Sequence, residues 1–202
     1  ETYYLEKSVH IIKTLFDRNP VILEKDSTYD ITFNCKQLYS FIEETFGKYA
    51  QGKKISEWVK YISSDKKLDL VKGYFDSDGC WVKTIKKNQI NSKISFVSIS
   101  QELLESIQDI LFSLGIISSL NKLRNEKTNI IGGKECQTQL CFNLSLAHYD
   151  SIQLINAWSD DEDIKLKKFD LNEFTIKNKR IISSCHLSED NNWIYFRIKK
   201  IT

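Results

Sequence analysis

Apolar positions along this chain switch between helical and strand spacing. Val9, Ile12 and Phe16, with Ile11 and Leu15 beside them, predict a helix over Ser8 to Phe16, and Pro20 stops it. Val21 to Leu23 and Tyr29 to Phe33 are strand-like, joined through the polar Lys25-Asp26-Ser27. Leu38, Phe41, Ile42 and Phe46 mark a second helix with Gly47 as its C-cap. Lys53 to Ile62, carrying Trp58, and Leu68 to Asp78 predict two more helices, the latter closed by Gly79. Cys80 to Lys86 and Lys93 to Ile99 read as strands. Ser100 is a good N-cap for a helix whose apolar face is Leu103, Leu104, Ile107, Ile110, Leu111 and Leu114, with Gly115 at its end. Ile116 to Leu123 and Gln137 to Ser145 predict a strand pair joined by a polar loop containing Gly132-Gly133. Ala147 to Trp158 is a last helix, the acidic run over 159–163 a solvated loop, and Trp193 to Ile201 a final strand.

The pattern repeats. Ile11 to Leu23 and Ile107 to Ser119 align, with Leu15-Phe16 over Leu111-Phe112. In both copies a helix ends, two strands follow and a second helix closes the unit. The second copy has a helix and two strands ahead of it, and the first does not. The expectation is an α+β protein of two pseudo-symmetric units, the first without its front.

Composition narrows the class. Hydrophobic residues are 41% and charged residues 28% of the 202, which is globular rather than disordered. The net charge of +2 excludes a polybasic tail but not a locally basic surface. No apolar run has the length of a membrane span, and Glu1-Thr2-Tyr3-Tyr4 does not resemble a signal peptide. Five scattered cysteines without a CxxC pair argue against a disulfide framework and a structural zinc, so a reducing intracellular compartment is expected. The lack of Met and the start at Glu1 point to a chain cut from something longer.

Chemistry concentrates in Leu70 to Gly79. Gly73 and Ser77 are small residues four apart on one helical face, where two helix backbones can approach closely. Asp76 and Asp78 fall in the last turn, at the negative end of the helix macrodipole. A divalent cation held by Asp78 supplies the positive charge this position lacks, and a hard ion such as Mg2+ takes oxygen ligands. An ordinary turn before a hairpin also accounts for Asp-Ser-Asp-Gly taken alone.

Its context resembles the LAGLIDADG (dodecapeptide) homing endonucleases, above all those encoded within inteins. Gly73 to Gly79 matches the core of their motif, Ser98 to Ile116 their following helix and turn, and Phe46 to Ala50 followed by Lys54 to Val59 the segment before the second motif, with Ser56 where proline is common. Asp160 to Leu166 is similar to the stretch that closes the second unit, and Asn192 to Ile201 to the strand returning to a splicing domain.

The resemblance implies αββαββα units forming a pseudo-symmetric pair with curved antiparallel sheets. It implies residues 1–64 as a partial first unit, 65–170 as a complete second unit and 171–202 as a connector with a splicing-type strand. Asp78 is then the catalytic metal ligand for Mg2+, with Lys165 or Lys168 assisting, and Gly73 and Ser77 pack against a second motif helix. Double-stranded DNA lies on the sheets, contacted by Lys83, Lys86, Lys87, Lys93, Lys122 and Arg124 and read by Gln137 and Gln139. Double-strand cleavage needs a second acidic motif, supplied by an upstream segment or an N-terminal intein fragment, as in a split intein. The competing readings are a catalytically decayed module that binds DNA or supports splicing assembly, and an RNA maturase of the same fold.

Overall fold

The computed structural model describes residues 2–158 except 27, 87, 88, 126, 132 and 133, together with 189–190 and 193–194. The architecture is mixed α+β with antiparallel sheets. The front half runs α1 (Thr2–Phe16), β1 (Val21–Lys25), β2 (Thr28–Thr32) and α2 (Lys36–Phe46). A 3-10 turn, Glu57–Tyr61, leads into the back half. There α3 (Ser64–Asp78), β3 (Gly79–Lys86), β4 (Gln89–Ser98), α4 (Gln101–Ser113), β5 (Ser118–Arg124), β8 (Cys141–Leu146) and α5 (His148–Ala157) make an αββαββα unit. A separate ribbon, β6 (Lys127–Ile131) and β7 (Lys134–Thr138), is inserted between β5 and β8. A short pair, β9 (Glu189–Asp190) and β10 (Trp193–Ile194), lies further on.

The back half owns the core. Its four strands lie in the order β3-β4-β8-β5. Alternation sends Trp81, Ile94, Phe96, Leu144 and Leu146 inward, against Leu104, Ile107, Ile110 and Leu111 of α4 and Leu154 and Ile155 of α5. Helix α4 starts where predicted: the Ser100 hydroxyl accepts from the Leu103 amide at 3.2 Å, and Gly115 ends the turn at a φ of 75°. The front half contributes Ile55 and Val59 from the stretch after α2, while β1 and β2 form only a two-stranded sheet.

Three expected features differ, the first being that the stretch read as a polar loop before Gln137 carries β6 and β7. Lys53 to Ile62 is not an α-helix: residues 53–56 carry no helix, and only Glu57–Tyr61 winds, as a 3-10 turn. The amides of Lys54 and Ser56 donate to the carbonyls of Phe46 and Thr45, so they bond the open end of α2. Nor is Gln137 to Ser145 one strand. Gln137 pairs with Thr128 inside the ribbon, and β8 begins at Cys141 opposite Arg124, where the register shifts. Among the described residues no helix is long and apolar enough to cross a membrane. The acidic run over 159–163 and most of the final strand lie outside the described residues.

Candidate functional site

The site grows from α3. Leu68, Val71 and Phe75 turn one side of this helix to the core, where the Phe75 ring meets Trp158 at 5.0 Å and Phe96 at 6.4 Å. The Trp158 indole donates to the Leu68 carbonyl at 3.2 Å, tying α3 to α5. Helix and strand then join without a loop. A Cβ on Gly79 would lie 2.5 Å from the Phe75 ring, so only glycine fits the residue that follows Asp78. Packing of Phe75 thus fixes where the helix ends and holds Asp78 at the junction.

The two acids of the motif have different surroundings. Asp76 is taken up by Lys72, whose ammonium lies 2.8 Å from both carboxylate oxygens, and both side chains are largely buried. Asp78 is 48% exposed, and its Oδ2 lies 3.4 Å from Lys53 Nζ. Lys53 has no local signature in the sequence, because its partner is 25 residues away. It is held from two sides: the Lys54 amide binds the end of α2, and the Ser100 hydroxyl that caps α4 donates to the Lys53 carbonyl. Beside this pair a groove of about 420 Å³ is lined by Ile42 and Phe46 of α2 and by Leu70, Tyr74, Leu103 and Ile107. Tyr74 stacks on Phe96 at 5.5 Å. Burial, and then the Asp78 carboxylate, push the pKa of its hydroxyl up to about 12.

On the same helix Gly73 and Ser77 are exposed, and a Cβ on Gly73 would meet nothing within 4 Å. A helix-interior glycine costs about 1 kcal/mol relative to alanine. Nothing among the described residues explains why position 73 carries one.

The sheet carries the charge pattern. Strands β3, β4, β5 and β8 contain no Asp or Glu, yet hold Lys83, Lys86, Lys93, Lys122 and Arg124. The face turned from the helices presents Ser95, Asn143, Ser145, Ser119 and Asn121 in register, with exposed Lys93 on the same face. The Asn143 side-chain oxygen is buried there without a hydrogen-bond partner. Acids collect elsewhere: Glu102, Glu105 and Asp109 line the outside of α4 together with Glu57.

The other sequence candidates disperse. Lys122 and Arg124 are exposed at one end of β5, Gln137 is exposed in the ribbon, and Gln139 is exposed just after it. Lys83 and Lys86 lie in β3, opposite Ser92 and Gln89. Lys87, Lys165 and Lys168 lie outside the described residues. Among the described residues no three His, Cys, Asp or Glu side chains come together as a metal site.

Several known proteins are similar to parts of this chain. From Methanocaldococcus jannaschii, the ATP-dependent DNA helicase Hel308 is 36% identical over 44% of the chain and 7% of its own length. Reverse gyrase is 30% identical over 54% of the chain and 7% of its own length. The DNA-directed RNA polymerase subunit Rpo1C is 27% identical over 67% of the chain and 15% of its own length. The chain therefore spans at most 15% of these relatives. A solved structure of mesophilic variants from the homing endonuclease I-DmoI aligns at a TM-score of 0.49 and 13% identity, covering 78% of this chain and 72% of that one. Residues 65–151, from the first turn of α3 into α5, match the family model described as a LAGLIDADG-like domain.

Proposed function

We propose that this chain is part of an intein-borne DNA endonuclease that hydrolyses phosphodiester bonds at the intein's insertion site with a divalent metal. In this reading residues 1–64 are the later part of a first unit, 65–170 a complete second unit, and 171–202 the path toward a splicing domain. The carrying observation is the division of charge in the back half. Four adjacent strands hold five cations and no carboxylate, and an exposed Asp78 stands at one end of the first of them. The outer face of these strands, where Lys93 stands among Ser95, Asn143, Ser145, Ser119 and Asn121, suits a polyanion, with cations toward phosphates and Asn and Ser side chains toward base edges, whereas Lys122, opposite Phe142, projects on the helix side.

The residues fit half of a metal site. Asp78 offers one accessible carboxylate, and a hard cation needs several oxygens. The second acid is assigned to a segment outside residues 1–202. That segment also gives Gly73 and Ser77 a helix to pack against and supplies cover for the groove between α2 and α3. When bound there, Mg2+ would lower the pKa of a water and offset charge on the phosphate. The Lys53 ammonium, held beside Asp78, places a fixed positive charge at the same spot, and Lys165 and Lys168 remain candidates for the same task. The intein context draws on the relatives. Segments similar to this chain occur in a helicase, a reverse gyrase and an RNA polymerase subunit, in each as a small fraction of the length. A segment common to proteins with such different work is accounted for as an inserted element.

The test is cleavage of a duplex carrying the uninterrupted insertion site, with Mg2+ and the completing upstream segment present. Wild type should cut, and Asp78→Asn should lose activity by at least a hundredfold while retaining binding. Binding by both proteins with cutting by neither would assign the chain to the decayed class.

A further inference from the structure

Backbone strain singles out one exposed ring. Among the described residues three non-glycines take a positive φ: Asp17 at 50°, Asp26 at 46° and Tyr49 at 57°. Aspartate enters this region readily, because its short side chain can bond the backbone nearby, whereas a bulky ring is held there at a cost. Tyr49 does not recover that cost by burial, since it is 80% exposed. It stands on the loop 47–52, between α2 and Lys53. The ends of the loop are pinched together. A Cβ on Gly47 would overlap the Gly52 carbonyl oxygen, and the Lys54 amide donates to the Phe46 carbonyl at 2.9 Å across the neck. The ring is also braced. Lys48 Nζ lies 5.4 Å from the ring centroids of both Tyr49 and Tyr39, and it is fixed on α2 by the Tyr39 hydroxyl at 2.7 Å and by Glu43 at 3.2 Å. Tyr49 borders the same groove as Lys53 and Asp78. A strained, solvent-facing and rigidly held side chain beside a candidate site is the kind of outlier that carries function.

We infer that Tyr49 is a wedge that enters the duplex beside the phosphate held at Asp78 and partly unstacks one base step, so that this phosphate is turned toward the site. The inference rests on the proposed nuclease role of Asp78. The surroundings favour a nucleotide over a protein side chain as the group that meets the ring. An apolar side chain packed there would strip water from the Lys48 ammonium, whereas a nucleotide brings a base to stack on the ring and a phosphate to face the cation. Unstacking a base step is costly, so a wedge has to be stiff. The pinched neck, the left-handed backbone and the braced ring supply that stiffness. Stacking energy spent on distorting the substrate is felt in the rate of cutting more than in affinity.

The experiment places 2-aminopurine, whose fluorescence rises when a base unstacks, beside the cut phosphate of the insertion-site duplex. Fluorescence on binding and the single-turnover cleavage rate at saturating protein are read with Mg2+ and the completing segment present. Wild type should raise the fluorescence, and Tyr49→Ala should not. Tyr49→Ala should cut about tenfold more slowly, as one lost base–aromatic contact implies, while its affinity changes less than about threefold. Tyr49→Phe should recover the rate, because the ring and not the hydroxyl does the wedging. A duplex with an abasic site at that step is already unstacked, and it should restore cutting by Tyr49→Ala but not by Asp78→Asn. Thermal melts of the variants should match wild type, since the side chain is exposed. Equal rates for wild type and Tyr49→Ala, or no fluorescence rise in the wild-type complex, overturns the wedge and leaves the role of Asp78 standing. Failure of wild type to bind the duplex overturns the nuclease reading and the wedge with it.

Discussion

Front and back halves share the order helix, strand, strand, helix, but only one of them is buried. Helix α4 has six buried residues, whereas α1, its counterpart, has none. Leu15 is 68% exposed, and Ile11, Val21, Leu23, Phe41 and Ile42 are exposed with it. The apolar pattern of the front half is as good as that of the back. What differs is cover. In the back half, α3 and the β3–β4 hairpin widen the sheet to four strands and close the core over α4. In the front half, β1 and β2 stand as a pair, and Phe16 at the end of α1 meets the Phe33 ring, just after β2, at 5.0 Å. An amphipathic helix is stabilised mostly by what it packs on, and a two-stranded sheet offers little. An apolar surface of this extent marks a contact still to be made.

Core truncation tests this contrast most strongly. Phe75 is fully buried, and Phe75→Ala should cost about 3–5 kcal/mol, enough to unfold much of the back half. Leu15→Ala in the front half should cost less than about 0.5 kcal/mol, since little is removed from contact. Urea unfolding of both variants gives the two values, and equal losses would sink the contrast. The glycines of α3 make the next comparison. Gly79→Ala drives a methyl into Phe75 and should cost about 1–3 kcal/mol. Gly73→Ala meets open space and should stabilise the isolated chain by about 0.5–1 kcal/mol. If the proposed completing segment packs a helix on Gly73, the same substitution should weaken that association, because the helices could no longer approach as closely. Binding isotherms read that reversal of sign.

These two glycines also mark how far the sequence could be read. Gly47, Ser100 and Gly115 announce helix ends through local chemistry, and each lies where its side chain or backbone freedom predicts. The back-half core was legible for the same reason: helical and alternating periods are written in neighbouring residues. Lys53 to Ile62 was not. Ile55, Val59 and Ile62 have helical spacing, but the Val59 and Ile62 amides donate to the carbonyls three residues back, Ser56 and Val59, so the stretch winds only as a 3-10 turn. The Gln137 to Ser145 alternation runs unbroken across a point where the strand changes partner, which no period can signal. Asp78 stands out because it breaks a local electrostatic preference. Lys53 does not, since only the folded chain brings it to 3.4 Å from that carboxylate.

Ser100 couples the halves, so its removal should be felt in both. Its hydroxyl caps α4 and also donates to the Lys53 carbonyl. Ser100→Ala should cost about 1–2 kcal/mol through the cap. In the proposed endonuclease it should also loosen Lys53, lowering cleavage more than Thr45→Ser, a mild change at a nearby buried site. Comparable activity in the two variants would show that Lys53 is held by other means.

The smallest effect is a pH dependence at the boundary between the halves. Tyr74 lines the groove shared with α2, and burial raises its hydroxyl from an ordinary value of 10.0 to about 12. The folded chain therefore keeps this proton more tightly than the unfolded chain. Below pH 10 both states hold it, and the contribution is fully present. Between pH 10 and 12 the unfolded state loses the proton first, so stability falls as pH rises. Tyr74→Phe should remove that part of the decline, measured as a shallower fall of Tm above pH 10 than in wild type. In the proposed assembly, covering the groove with the completing segment should bury Tyr74 further and extend the wild-type decline, which still begins near pH 10, to higher pH. An unchanged alkaline profile in that complex would mean that the segment docks elsewhere, leaving the groove between α2 and α3 open.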